Sequence, residues 1–250
     1  MSTTLASDTV TVFTRELRPV IRDPFSVIFS LVQPLFFLVL FAPLLPDEVG
    51  GQSALQWFIP GTIVMSCLFG AGATGANLLF EIQTGAHERM LVSPLRRPAL
   101  ILGRAFKEIV PMFAQTALIL VVTIPFGFRL HPGAFLGLAL LAVFCVGLGS
   151  LSYTLALASK NKEWLFWAIQ QTLTFPLLLL AGMMLPLDGA PGWLRTLSLF
   201  DPLTYLVNAE RALFSGEIFS ATVAGGVVAA FATAALGLGV GMRAMRRAVA

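Results

Sequence analysis

The chain has 250 residues, of which 57% are hydrophobic and only 12% charged, and its mean hydropathy is +0.85. That balance excludes an ordinary soluble domain, and the length holds one helical membrane unit with no room for a separate soluble domain. The formal net charge of +3 is small, and the basic residues form no continuous stripe beside stacking aromatics, which excludes a nucleic-acid partner.

Six uncharged runs follow one another: Pro24–Pro46, Trp57–Phe80, Ile109–Phe128, Ala134–Ala158, Trp164–Leu187 and Ile218–Met242. Each exceeds the ~18 residues that mark a transmembrane helix candidate. A charge at a helix centre costs roughly 2.5–3.5 kcal/mol on insertion scales, so confining charge to the intervening segments is what a bilayer demands. The runs also lack the polar face that a helix of a soluble core presents. The expected fold is therefore an all-α polytopic membrane protein, one domain over residues 1–250, with spans near 25–45, 57–80, 108–128, 134–158, 164–187 and 219–242. Thirteen of the sixteen basic residues lie before the first run, between the second and third, between the fourth and fifth, and after the sixth. By the positive-inside rule both termini are expected in the cytoplasm. The first run is long enough to span and has no small-x-small exit site, so it reads as an uncleaved anchor.

Before the first run, Val10, Phe13, Leu17, Val20 and Ile21 recur at helical spacing, and Arg15, Arg18 and Arg22 line the other side. This predicts an amphipathic helix in the membrane interface, kinked at Pro19. Between the second and third runs, Glu81–Glu108 predicts a short helix up to Val92, stopped by Ser93-Pro94, and a second helix after Pro98 that runs into the third span. The short helix exposes Glu88, Arg89, Met90 and Leu91, either as a grip for a cytosolic protein or as a solvated hairpin. After the fifth run, Asp188–Phe219 is too polar for two more crossings and too apolar for a solvated loop. Short helices that dip into the outer leaflet, covered by the spans, satisfy both conditions.

No Gly-Lys-Ser/Thr run is present to cradle ATP phosphates, and no Gly-x-Ser-x-Gly or His-Glu-x-x-His motif offers hydrolytic chemistry. Cys67 and Cys145 fall inside apolar runs and lack metal-ligand spacing. Gly70, Gly72, Gly75, Gly147 and Gly149 suggest close helix contact, and the Gln, Ser and Asn residues of the spans suggest interhelical hydrogen bonds. The six uncharged runs hold no Asp or Glu, which disfavours an ion-coupled carrier.

Several segments carry a family likeness. Arg22-Asp23-Pro24 enters a first span broken at Pro34, and Glu88 to Leu95 follows the second span. Gly182-Met183-Met184-Leu185-Pro186-Leu187 precedes Pro191-Gly192-Trp193-Leu194, then Asp201-Pro202-Leu203-Thr204-Tyr205, then Arg211 and Gly216. In that order, across almost the whole chain, they resemble the membrane subunit of type-two ATP-binding-cassette exporters of the daunorubicin-resistance permease kind.

The resemblance implies a half-transporter in a bacterial inner membrane, paired with a second copy or a close relative as homodimer or heterodimer. It implies a separate cytosolic ATPase subunit that holds ATP and Mg, with no cofactor or metal on this chain. The cargo implied is a hydrophobic or amphipathic drug, antibiotic or lipid-like molecule. Permeases for lipid-linked polysaccharide share the same frame and stay open as an alternative, and an ion-coupled carrier stands further off. Gly85, Glu88, Arg89, Met90, Leu91 and Pro94 are the expected ATPase-coupling residues, with Met90 and Leu91 as apolar anchors. Phe29, Gln33, Phe37, Ser66, Gln171 and Phe175 are the expected lining of the substrate route, capped by helices around Pro191–Gly216.

Overall fold

The computed structural model describes residues 4–23, 25, 29, 32–44, 48–49, 51–92, 95–160, 162–187 and 189–247. Helix α1 (Leu5–Arg22) starts at Thr4, whose hydroxyl accepts from the Ser7 amide, and continues through Pro19 to Arg22. Helix α2 (Val32–Phe41) ends in a 3-10 turn, Ala42–Leu44. A two-residue hairpin, Glu48–Val49 with Gln52–Ser53, then turns the chain at Gly51 with φ +78°. Ser53 caps α3 (Ala54–Gln83), which is followed by α4 (Ala86–Leu91), α5 (Arg97–Lys107) and α6 (Ile109–Thr123). Pro98 sits in the first turn of α5, where its missing N–H has no helical partner to lose. The chain continues through α7 (Gly133–Ala158), α8 (Glu163–Leu180), α9 (Gly192–Ser198), α10 (Pro202–Phe214) and α11 (Ala221–Arg247).

Helices α3, α7, α10 and α11 form the centre of the bundle. The α7–α11 seam is made by glycine: a Cβ added at Gly147 would sit 2.7 Å from the Ala234 backbone nitrogen, and Gly237 meets the Gly147 carbonyl in the same way. Such backbone approach supplies dispersion contact where lipid removes the hydrophobic driving force. The other expected glycine contacts divide. Gly72 faces Gln170, and Gly75 faces Ser152, whose hydroxyl bridges the Gly75 amide at 3.2 Å and the Gly72 carbonyl at 3.0 Å. Gly70 faces open space.

Among the described residues, four helical stretches are long and apolar enough to cross a membrane: Ala54–Gln83, Arg97–Phe126, Gly133–Ala158 and Ala221–Arg246. The fifth expected run is shorter than a full span, and the first is described only in part: Phe25, Phe29 and Val32–Phe41 are helical, and residues 24, 26–28, 30–31 and 45–47 lie outside the described residues. In the fifth run the helix stops at Leu180, and Gly182, at φ +62°, turns the Ala181–Leu187 segment out of helical geometry.

The third span departs most from expectation. Helices α5 and α6 join at Glu108 into one stretch, Arg97–Phe126, so Arg104, Lys107 and Glu108 belong to the bundle interior rather than to a solvated loop. They are only 3%, 6% and 3% exposed. Hydropathy along the chain assigns charge to a segment and is blind to the direction in which that segment folds back.

The face that α1 buries is also rotated from the expected one. Asp8 and Val12 are buried against α5, with Val12 seated on Gly103, and Phe13, Leu17 and Val20 are half-buried. Val10 and Ile21 face outward at 59% and 68% exposure, and Arg15, Arg18 and Arg22 are exposed as expected.

Candidate functional site

At the end of the bundle where α3 gives way to α4, the chain reverses at Gly85, whose φ of +66° favours a residue without Cβ. Glu88 and Arg89 are exposed on α4, and an Arg89 guanidinium N–H reaches the Thr84 carbonyl at 3.4 Å. Met90, expected as an outward anchor, instead points inward and is 7% exposed. Its sulfur contacts the Arg15 guanidinium and lies 4.0 Å from Arg104. Among the described side chains of α4, the accessible ones are therefore Glu88 and Arg89, while Met90 packs into the bundle. The Leu91 side chain and Pro94 lie outside the described residues.

Arg104 is the hub beneath α4. Its Nε donates to Glu16 Oε1 at 3.4 Å, another N–H donates to the Glu81 carboxylate, and its guanidinium lies 5.4 Å from the Tyr153 ring centroid. One side chain on α5 thus ties α1, the end of α3 and α7 together, and reaches α4 through Met90. Asp8 adds a second tie, accepting from the Arg96 amide at 3.1 Å, where a carboxylate suits the start of α5. None of this was legible in the sequence, where Arg96, Arg97, Arg104 and Lys107 read together as a topology signal. The available hint was the spacing of Arg104 and Lys107, which places both on one side of α5.

At the opposite end, the motif segments after the fifth run meet one another. Asp201 caps α10, its Oδ1 accepting from the Leu203 amide at 2.9 Å, and burial pushes its carboxyl up to about 6. Arg211 donates to the Trp57 carbonyl at 3.1 Å and to the Gly182 carbonyl at 2.8 Å, with its guanidinium 3.7 Å from the Trp57 ring centroid. Thr204 donates to the Leu180 carbonyl at 3.1 Å. The spacing of Gly182, Asp201, Thr204 and Arg211 therefore encodes one clasp, which holds α10 against α3 and the broken end of α8.

Helix α10 is covered by α3, α7 and α11, whereas α9 presents Trp193 and Leu197 outward. Glu210 is fully buried facing Gly137, and neither carboxylate oxygen has a hydrogen-bond partner among the described residues. Burial pushes this carboxyl up to about 8, so it keeps its proton at neutral pH.

The six expected route residues are divided between the interior and the surface of the chain. Ser66 is buried, donates to the Thr62 carbonyl at 3.0 Å and lines an internal cleft. Phe37 is half-buried against the core. Phe29, Gln33, Gln171 and Phe175 are exposed, the phenylalanines by 73% and 48%. Gln33 lies on α2, and Gln171 and Phe175 lie on α8.

Comparison with known proteins gives this geometry a context. The chain is 31% identical over 202 residues to the transport permease ycf38 of Cyanophora paradoxa, covering 78% of this chain and 69% of that protein. It is 24% identical over 241 residues to the daunorubicin resistance ABC transporter permease protein DrrB1 of Streptomyces coeruleorubidus, covering 92% and 84%. It is 21% identical over 201 residues to the doxorubicin resistance ABC transporter permease protein DrrC of Mycobacterium tuberculosis, covering 78% and 72%. The profile of the ABC-2 type transporter family matches residues 7–215, which include the α1–α5 hub and the Asp201–Arg211 clasp. The chain belongs to the ABC-2 type transporter family, as a multi-pass transmembrane subunit whose ATP is hydrolysed by a separate ATPase subunit.

Proposed function

We propose that this chain is one of two permease halves of an exporter that moves hydrophobic or amphipathic small molecules out of a bacterial cell across the inner membrane. The similarity to permeases named for daunorubicin and doxorubicin resistance supports that cargo class. In this reading the chain crosses the membrane six times with both termini in the cytoplasm, α1 lies in the cytoplasmic interface, and α9 and α10 re-enter from outside. The exposed faces of α2 and α8 meet the second permease, so that Phe29, Gln33, Phe37, Gln171 and Phe175 line a route between subunits. Ser66 faces the interior of its own subunit.

The observation that carries the coupling step is Met90, buried against Arg104 and Arg15 while Glu88 and Arg89 of the same short helix stay exposed. An ATPase that binds ATP and Mg grips Glu88 and Arg89, and a displacement of α4 passes through Met90 to Arg104. From there it reaches α1, α3 and α7. A helix gripped on one side and packed into the bundle on the other links the ATPase to Arg104 through one buried side chain.

The test is co-expression with a candidate ABC ATPase subunit. Co-purification of the two chains is expected, with a weaker complex and slower efflux for Glu88→Ala/Arg89→Ala at normal membrane insertion. Truncating one partner of a desolvated charge pair typically costs ~2–5 kcal/mol. Full ATPase association and full efflux in the double variant would refute the assignment of α4.

A further inference from the structure

Behind Met90 and Arg104 the bundle is not solid. Two adjoining cavities of about 240 and 410 Å³ share Val20, Asn77 and Lys107, making one cleft between α1, α3 and the α5–α6 junction. Its inner end is apolar and sulfur-lined, with Pro111, Met112, Cys67 and Cys145; the two thiols are free and buried. At its waist Lys107 Nζ lies 2.8 Å from Glu108 Oε1, which also accepts from the Thr74 hydroxyl at 3.0 Å. Its mouth carries Glu16, Asp23 and Glu81. Arg104 is bound to Glu16 and Glu81, and the exposed Arg15 also lies near Glu81.

A buried ion pair is a costly way to fill space, because both charges lose water for one another. Lys107 is 6% exposed and Glu108 3%, yet both face the cleft and not a packed core. Lys107 also lines both cavities, so its flexible stem can carry the ammonium from Glu108 to the carboxylates of the mouth.

We propose that this cleft is a binding site within each subunit for an amphipathic monocation, with the Lys107 ammonium resting on Glu108 where a ligand ammonium binds. The ligand's protonated amine takes the Glu108 carboxylate, its apolar body fills the sulfur-lined end, and Lys107 moves out to the mouth. The exchange conserves charge at the waist and moves the displaced cation to a mouth lined by Glu16, Asp23 and Glu81. A neutral ligand of equal size gains the apolar contact but not the carboxylate, and an anion meets Glu108 and the acidic mouth as repulsion. Calling the bound cation a substrate rests on the exporter reading, whereas its binding to the permease without ATPase or ATP does not.

The two thiols at the inner end are built-in reporters. The permease alone is reconstituted in lipid nanodiscs, and N-ethylmaleimide alkylation of Cys67 and Cys145 is timed with decylammonium, decanol or decanoate present. Protection by decylammonium is expected to exceed that by decanol about tenfold in half-saturating concentration, with decanoate ineffective. In Lys107→Met/Glu108→Gln, which keeps the site neutral and so guards folding, decylammonium and decanol should protect alike. Asp23→Asn is expected to weaken decylammonium protection in a protein whose waist is intact. Equal protection by decanol and decylammonium in the parental protein would overturn the proposal, as would an undiminished ammonium preference in the double variant. Alkylation unaffected by all three compounds would overturn it too. Binding that passes these tests beside failed transport would instead count against the exporter reading.

Discussion

Replacing Arg104 by Met removes the hub beneath α4 and leaves Glu16 and Glu81 facing one another without their shared cation. Breaking a buried ion pair by deleting one partner costs about 3–5 kcal/mol. Glu16 and Glu81 keep 13% and 18% of their side-chain exposure, which puts this case near the lower end, about 3 kcal/mol. Loss of the cation over Tyr153 adds roughly 1 kcal/mol. A chain of this length loses roughly 2–4 °C per kcal/mol, so Arg104→Met should lower the unfolding midpoint by about 10 °C in nanodiscs. The triple variant Arg104→Met/Glu16→Gln/Glu81→Gln has no stranded charge and should recover most of that loss. It should still fail to link ATP hydrolysis to efflux, because Met90 no longer bears on a guanidinium tied to α1 and α3. Thermal unfolding and ATPase-coupled efflux of the three proteins separate the stabilising role from the transmitting one. The reasoning is refuted if Arg104→Met unfolds within 2 °C of the parental protein, or if the triple variant is less stable than the single one.

Further expectations concern the glycine seam, the buried acid and the route. Gly147→Ala places a Cβ 2.7 Å from the Ala234 backbone nitrogen, which cannot yield as a side chain would, so α7 and α11 must separate at about 1–3 kcal/mol; an unchanged unfolding midpoint would contradict this. Glu210 holds its proton up to about pH 8 in the folded state but only to about 4.5 when unfolded, so its contribution to stability is complete below pH 4.5 and is lost as pH rises through 8. Glu210→Gln, neutral at every pH, should flatten that decline, and the same pH trend in both proteins would remove Glu210 as its source. Gln33→Trp and Phe175→Trp should each block efflux while preserving ATPase association, and parental export rates in both would place the route elsewhere.

Composition and the six uncharged runs were sufficient to state a helical membrane protein, because the bilayer penalises charge so heavily that one-dimensional hydropathy carries the fold class. The order of Gly182–Leu187, Asp201–Tyr205 and Arg211 was sufficient to find the family. The stop of α4 near Val92 and the start of α5 near Pro98 were legible as well, since proline acts locally. Tertiary structure alone decided which charges are inside. Arg104, Lys107, Glu108 and Glu210 lie outside the uncharged runs in sequence, yet the chain folds them into the bundle, where Arg104 and Glu108 meet partners distant along the chain, Lys107 lines a cavity and Glu210 packs on Gly137. It also decided that Met90 turns inward while Glu88 and Arg89 face out, since α4 is too short for periodicity to fix its buried side. The clasp shows the same division: the residues of Arg211, Trp57 and Gly182 can be read in advance, but their meeting depends on α10 packing beside α3 at the point where α8 breaks.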